Sequence, residues 1–160
     1  MAFDMFLKVD TIPGESADKA HANEIDVLSW QWGLTQSGSA HVGGGSGSGK
    51  VDVKDLTVTK YVDAASPALL KYCCTGAPLK SAVLTIRKAG GTPLEYYVVT
   101  LTNVIISSVT PGGASGQDRL SESITLNFGQ FQVQYTPQKA DGTGGAAKVV
   151  AWNVASNAEA

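Results

Sequence analysis

The sequence has little charge, little cysteine and no long apolar run. Charged residues make up 16% of its 160 residues, against about a quarter in typical soluble domains, whereas the apolar fraction of 43% is ordinary. The net charge of -2 supplies no broad basic field for nucleic acid or anionic lipid. The low charge therefore argues against a nucleic-acid partner and indicates a surface that other proteins cover.

The first ten residues, M-A-F-D-M-F-L-K-V-D, do not have the pattern of a secretory signal. They include Asp4, lack a basic start and contain no uninterrupted apolar stretch. No later segment is apolar over the length that a membrane span needs. We therefore expect a chain without a signal peptide or membrane insertion that folds in the cytoplasm.

The only cysteines are neighbours, Cys73 and Cys74. Adjacent cysteines rarely reach ordinary disulfide geometry, because the peptide between them would be distorted. Tetrahedral zinc needs four ligands, and neither His21 nor His41 lies at a supporting spacing. The sequence thus predicts no disulfide, no metal site and no cofactor.

Alternation of apolar and polar residues dominates the chain and predicts one mainly β domain over residues 1–160. The strand predicted around residues 25–35 changes its apolar face between Val27 and Leu28, which indicates a bulge or a crossover between sheets. The run 94–109 is apolar on both faces and should be central. Further strands are predicted at 3–9, 51–61, 82–88, 120–135, with a one-residue offset near Gly129, and 149–154.

One helix is predicted after the sequence D-A-A-S-P. We expect Ser66 to cap it, Pro67 to occupy its first position and Gly76 to end it. Its apolar stripe is predicted to consist of Leu69, Leu70 and Cys73.

The polar faces of the predicted strands carry neutral side chains where exposed strands usually carry Lys and Glu. A neutral hydrophilic wall would let a passenger slide without sticking, but the pattern fits an ordinary hydrophilic surface equally well. The residues concerned are Ser29, Gln31, Thr35, Ser121, Ser123, Thr125, Asn127, Gln130, Gln132 and Gln134.

The segment from Gly44 to Lys50, G-G-S-G-S-G-K, nearly matches a phosphate-binding loop. However, Val51 stands where Ser or Thr should hold Mg²⁺, and the residues that follow have strand character. No helix N-terminus is then available for phosphate. We interpret the segment as part of a flexible, protruding loop at about residues 36–50.

A hydrolase would need Ser16, His21 and either Asp18 or Asp26 to meet in space. No glycine-framed turn between a strand and a helix surrounds Ser16. The sequence therefore predicts that the chain is not an enzyme.

The tryptophans leave a second function open. Trp30, Trp32 and Trp152 could stack on sugars, which would make the chain a monomeric β-sandwich module that binds a ligand or carbohydrate. Trp30 and Trp32 share a strand face with Leu28 and Leu34, a position more typical of core residues.

Several long motifs appear together and in order. They are G-E-S followed by H-x-x-E-I-D-V-L-S-W-x-W-G, then T-K-Y-V-D-A-A-S-P, I-S-S-V and G-x-D-R-L-S-E-S-I-T-L-N-F. Together they resemble the Hcp (haemolysin-coregulated protein) family of bacterial type VI secretion, from M-F-L-K-V to the terminal A-W-N-V.

The resemblance implies a compact β-barrel of two antiparallel sheets with one short flanking helix, assembling as a hexameric ring. Stacked rings would form the inner tube of a contractile injection machine, carry or chaperone small effectors in the channel and be secreted with them from the bacterial cytoplasm. The implied partners are further copies of the chain, a VgrG spike, the contractile sheath, baseplate proteins and the effectors.

Two sets of site residues follow from strand parity and from this resemblance. Ser29, Gln31 and Thr35 are predicted to face the channel, with Gln31 touching cargo. The loop between rings is predicted to consist of His41, Val42, Gly43, Gly44, Gly45, Ser46, Gly47, Ser48 and Gly49.

Overall fold

The computed structural model describes residues 3–38, 50–90 and 93–160. The described part is mainly β with one short helix, which confirms the predicted fold class. Its elements are β1 (Phe3–Val9), β2 (Ile25–Asp26), β3 (Ser29–Gln31), β4 (Leu34–Thr35), β5 (Asp52–Val53), β6 (Leu56–Tyr61), α1 (Ser66–Thr75), β7 (Leu79–Lys88), β8 (Leu94–Gly112), β9 (Ser121–Tyr135), β10 (Lys148–Asn153) and β11 (Ala158–Glu159).

The main sheet is antiparallel and closes into a barrel through the short segment that contains β2 and β3. Strands β1, β7, β8, β9 and β6 are neighbours in that order. β2 pairs with β1, whereas β3 pairs with β6 at the other end of the order. The main chain changes partner at one step, because Val27 N donates to Met5 O at 3.0 Å and Leu28 N donates to Thr59 O at 2.8 Å.

The predicted irregularity between Val27 and Leu28 is observed as a change of partner strand from β1 to β6, which belong to the same sheet, so the chain does not cross to a second sheet there. A single strand over 25–35 is wrong, since the structure has the three short strands β2, β3 and β4 there. β4 pairs with β5 in a separate two-stranded sheet. The segment is divided because it pairs first with β1, then with β6, and finally leaves the barrel to pair with β5.

The long hairpin of β8 and β9 forms the centre of the fold. β8 pairs with both β7 and β9 as far as Val104, so the predicted central strand is confirmed for residues 94–104, whereas residues 105–109 pair only with β9 and lie at an edge. In each strand the buried side chains switch from one side of the strand to the other, and the two switches lie opposite each other. Leu101 and Val104 are both buried in β8 although they are three residues apart, and so are their register partners Phe131 and Phe128 in β9. The predicted offset near Gly129 is confirmed, and there β9 exchanges β6 for β10 as its second neighbour.

The barrel is filled by aliphatic side chains that are almost completely removed from water. Burying such a side chain stabilises the fold by about 1.5–3 kcal/mol. The most buried strand residues of this kind are Leu7, Ile25, Leu56, Val58, Leu84, Val99, Val104, Ile124 and Leu126, each with no exposed surface.

The helix α1 covers one side of this core, but with a different stripe from the predicted one. Leu69 is completely buried and Cys73 packs against the core, whereas Leu70 is 43% exposed, so its predicted place in the stripe is wrong. Successive residues on a helix are rotated by about 100°, so Leu70 points away from Leu69 in the direction opposite to Ala68 and falls outside the core-facing stripe. The observed contacts come from Ala65, Ala68, Leu69, Tyr72 and Cys73.

The ends of α1 agree with the sequence prediction only in part. Gly76 ends the helix in the left-handed conformation with φ 67°, and its N–H donates to Tyr72 O at 2.9 Å, as predicted. Ser66 is not the cap, because Ala65 holds that position without a side-chain hydrogen bond. Pro67 occupies the second helical position, still within the turn where its missing N–H costs no hydrogen bond. Ser66 is instead drawn into a buried polar cluster, described below.

Among the described residues, no helix combines the length and hydropathy needed to cross a membrane.

Candidate functional site

Four neighbouring strands present one continuous surface of small neutral polar side chains, here called the polar face. It is built from β3, β6, the first half of β9 and the second half of β8. Register places its members in two rows, Ser29, Thr59, Ser123 and Thr110, then Gln31, Thr57, Thr125 and Ser108. The alternate positions of the same strands, such as Val58 and Ile124, are buried, so the barrel core supports the polar face from behind.

Hydrogen bonds between side chains tie the polar face together at one end. Thr125 Oγ1 lies 2.6 Å from Ser107 Oγ and 2.7 Å from Ser108 Oγ. The carboxylate of Asp55 accepts from Ser107 Oγ at 2.7 Å and from Asn127 Nδ2 at 2.9 Å. Both serines reach Thr125 because the register of β8 shifts between Ile106 and Ser108, as at a β-bulge.

The structure separates the three residues predicted to face a channel. Ser29 and Gln31 lie exposed on the polar face. Thr35 lies in β4, where it pairs with Asp52 of the two-stranded sheet. Sequence analysis missed Thr57 and Thr59, although the strict alternation of L-T-V-T-K-Y could have shown them to share one side of β6.

Both lateral edges of the four-stranded sheet lack a strand partner in the described part of the chain. β3 pairs on one side with β6. β7 leaves β8 after Val104, so that residues 105–112 pair only with β9. Apolar side chains accompany both edges, since Leu28 is 43% and Ile105 is 37% exposed. Such edges are ready to pair with another chain.

The ribbon of β4 and β5 holds the two ends of the predicted loop together. Leu34 is the register partner of Val53, and Thr35 that of Asp52. Trp32 Nε1 donates to Lys54 O at 2.8 Å, which joins the two sides of the ribbon at its base. The predicted ring-contact residues from His41 to Gly49 lie outside the described residues.

An apolar groove of about 610 Å³ runs beside this ribbon. Two of its apolar side chains are largely exposed, Leu34 at 47% and Val150 at 56%. The indole N–H of Trp152 is buried there without an acceptor in the described structure. The apolar lining consists of Leu34, Val51, Val53, Phe131, Val150 and Trp152.

Two of the tryptophans considered for sugar stacking are occupied by the protein's own aromatic residues. The ring of Trp30 stacks on Tyr97 with centroids 5.6 Å apart, and Trp32 meets the edge of Phe131 at 4.9 Å. Both indoles pack against the core. This packing favours a structural role for Trp30 and Trp32.

The residues considered for hydrolysis do not form a triad. Ser16 is buried, and its Oγ accepts from Asp18 N at 3.2 Å. Both ring nitrogens of His21 are hydrogen-bonded to carboxylates. Nδ1 lies 2.8 Å from Glu24 Oε2, and Nε2 lies 2.5 Å from Glu95 Oε1. Among residues 3–38, 50–90 and 93–160, no group of three or more His, Cys, Asp and Glu residues is placed to hold a metal ion.

The phosphate-loop interpretation receives no support from the segment that follows it. Residues 44–49 lie outside the described part, but Val51 leads directly into β5 rather than into a helix. A helix N-terminus is the feature that such loops use to bind phosphate.

A buried charged cluster below the polar face escaped the sequence analysis. Lys60 has no exposed surface, and its Nζ donates to Glu122 Oε1 at 2.5 Å, to Asp63 Oδ1 at 2.8 Å and to Ser66 Oγ at 3.3 Å. Ser66 Oγ also donates to Glu122 Oε1 at 2.5 Å. A sequence signal existed, because Lys60 and Glu122 both occupy core-facing parity positions of their strands.

These features define an antiparallel β-barrel protein with a neutral polar face. The face is flanked by the edges of β3 and the second half of β8, which have no strand partner among the described residues. The family described as "Type VI secretion system effector, Hcp" matches residues 6–135. Protein hcp1 of Pseudomonas aeruginosa is 55% identical over the full length of both chains. The chain therefore belongs to the Hcp family of type VI secretion, which confirms the resemblance inferred from its motifs.

Two solved structures show the same fold over the whole chain. The crystal structure of Hcp1 from Salmonella typhimurium is 35% identical and covers 100% of both chains, with a TM-score of 0.81. A structure described as a type six secretion system protein is 30% identical, covers 99% of this chain and 100% of its own, and has a TM-score of 0.94.

Proposed function

We propose that this chain is a tube subunit of type VI secretion, whose copies join edge to edge into a hexameric ring with the polar face lining the bore. The observation that carries the proposal is the combination of a neutral four-stranded face with two open lateral edges. The face is suited to a wet channel, and the edges are suited to continue the sheet into the next subunit.

The position of the two edges supports closure into a ring. β3 and the second half of β8 form the two opposite edges of the same four-stranded sheet. Pairing β3 of one copy with β8 of the next is therefore a head-to-tail contact. Such contacts close into rings when the rotation between copies permits it. Pairing would also satisfy backbone groups that an isolated sheet leaves to water.

The chemistry of the polar face supports a role in holding small effectors. Hydroxyl and amide groups can exchange hydrogen bonds with water and with many protein surfaces at little net cost. Asp55 adds one carboxylate near the end of the face, where it already accepts two hydrogen bonds. Effectors would thus be carried or chaperoned in the bore without tight binding and would be secreted together with the ring.

Stacking of rings into a tube is assigned to the loop at about 36–50 and to the apolar groove beside its base. Exposed Leu34 and Val150 supply apolar surface of the kind that protein contacts usually cover. In this proposal the spike, the contractile sheath and the baseplate meet the assembled tube rather than the single subunit.

The ring can be tested by native mass spectrometry and by negative-stain images of the purified chain. We expect six subunits and annular top views for the wild type. Ile105→Lys, at an open edge, should prevent ring formation, whereas Leu70→Lys, on the exposed side of α1, should leave it intact. A persistent monomer at high concentration would refute the proposal, and sugar-array binding by that monomer would support the carbohydrate-binding alternative.

A further inference from the structure

A buried histidine joins two distant parts of the chain on the outer side of the barrel. Residues 10–24, here called the connector, run between β1 and β2. His21 lies in the connector and is only 7% exposed. Its ring stacks on Phe6 of β1 with centroids 4.3 Å apart and planes 9° from parallel. It spans the gap between Glu24 near β2 and Glu95 in β8.

Both ring nitrogens of His21 face carboxylate oxygens at hydrogen-bond distance. A neutral imidazole has one donor and one acceptor nitrogen, so it can satisfy only one of the two carboxylates. The imidazolium donates from both nitrogens, and hydrogen bonds between charged partners are stronger than neutral ones. When both carboxylates are ionised, only the protonated ring can donate to both of them.

We propose that His21 is a proton-operated latch that fastens the connector to β8 and releases it as the pH rises. The latch belongs to the single subunit and does not depend on the proposed ring. Once His21 loses its proton, one nitrogen presents a lone pair to a carboxylate, and that contact changes from attraction to repulsion.

The charged groups around His21 leave it as the titrating member of the cluster near neutral pH. Arg87 of β7 lies over the ring of Phe6, with its guanidinium carbon 5.1 Å from the ring centroid. It pairs with Asp18 of the connector and with Asp4 of β1. Hydrogen bonds from Arg87 lower the pKa of Asp18 to about 2, so this pair stays charged. The other charged residues nearby on these elements are Lys8 of β1, Lys19 of the connector and Asp26 of β2.

The direction of the pH effect follows from the balance at His21. Burial disfavours the charged ring, but the hydrogen bonds that the ring donates to Glu24 and Glu95 outweigh it and raise the pKa of His21 above 6.5. A raised pKa means that the fold stabilises the protonated form. The stabilisation is complete below the unfolded value of about 6.5 and is lost as the pH rises through the higher pKa of the folded state.

Release should be local, because contacts that do not involve His21 hold the rest of the connector, among them Ile12 in the hydrophobic core. Asp18 remains attached to Arg87, and Glu15 Oε2 accepts from Ala64 N at 2.6 Å. Loss of the His21 contact weakens the hold on the stretch between Asp18 and β2, which then depends on main-chain hydrogen bonds such as Asn23 N to Ser16 O and Ser16 N to Glu24 O. That stretch covers Phe6, which is 4% exposed in the latched state.

Hydrogen exchange of the full-length chain tests the latch. The amides of Ala20 and His21 donate to Asp18 Oδ1, and the amide of Asn23 donates to Ser16 O, so that they report on connector closure. Between about pH 6 and about pH 8.5, with intrinsic exchange rates corrected, we expect their protection to fall roughly tenfold, the effect of losing one charged hydrogen bond. His41→Asn, which alters the other histidine, should behave like the wild type.

Two variants separate the latch from general destabilisation. His21→Gln should show connector protection that no longer depends on pH, and Glu95→Gln should shift the loss of protection to lower pH. If His21→Gln does not fold, Glu95→Gln alone decides. Equal protection of the wild type at both pH values, or an equal fall in His21→Gln or an unshifted fall in Glu95→Gln, would overturn the inference without touching the ring.

Discussion

The buried cluster of Lys60, Glu122, Asp63 and Ser66 allows a sharp test of how the barrel is held together. The described residues include two lysine–carboxylate pairs with the same nitrogen–oxygen distance of 2.5 Å. In the pair of Lys60 and Glu122 the side chains are 0% and 1% exposed, and in the pair of Lys54 and Asp52 they are 57% and 63% exposed. Distance is therefore constant while burial differs.

Replacing Lys60 by Met should be strongly destabilising. The substitution keeps most of the volume but removes the only cation that the cluster contains, leaving Glu122 and Asp63 as two buried carboxylates without a counter-charge. Breaking a buried pair in this way costs about 3–5 kcal/mol in the free energy of unfolding. Lys54→Met is the matched control and should change it by about 0.5 kcal/mol or less, because exposed pairs contribute little.

Glu122→Gln should be milder than Lys60→Met. Lys60 keeps Asp63 as its counter-ion at 2.8 Å, and the amide oxygen can still accept from Lys60 and Ser66. The expected cost is about 1–3 kcal/mol, the range for an imperfectly satisfied buried polar group. Removing the cation should thus cost more than neutralising one of its two partners.

The free energies can be measured by urea unfolding followed by circular dichroism, at one protein concentration and with the assembly state checked by native mass spectrometry. Equal concentration matters, since association stabilises the folded subunit. The reasoning fails if Lys60→Met costs no more than Lys54→Met, or if Glu122→Gln is the more damaging change.

Three further expectations can be checked with single variants. Gly14→Ala should destabilise the fold by about 1–3 kcal/mol, because a Cβ would lie 2.5 Å from the main-chain oxygen of Glu24, whereas Gly33→Ala meets nothing within 4 Å and should be nearly neutral in the same unfolding assay. Replacing Gln31 by Ala and by Arg should change effector stability in cells, and equal protection by the wild type and both variants would remove Gln31 from the channel wall. Shortening residues 43–49 should leave rings intact in native mass spectra but reduce tube formation and secretion, so unchanged secretion would contradict the assigned role of the loop.

Features that depend on residues close in sequence could be predicted, whereas features that depend on residues far apart in sequence could not. The alternation in β6 and β9 and the left-handed Gly76 depend on residues close in sequence, and both were predictable. The parity change near Gly129 was also visible, because it alters the local order of apolar residues. The pairing of Thr35 with Asp52, away from Gln31, was not visible, because strand partners are chosen across the whole chain.

The sequence by itself determined a mainly β domain, one helix ending at Gly76 and the neutral character of its strand faces, since period-two patterning and turn chemistry are written locally. Its long motifs also determined the family. Only the tertiary structure decided that Lys60 meets Glu122 and that His21 bridges to Glu95, because those partners are 62 and 74 residues apart. Their contact depends on barrel closure and strand register, which no local pattern specifies.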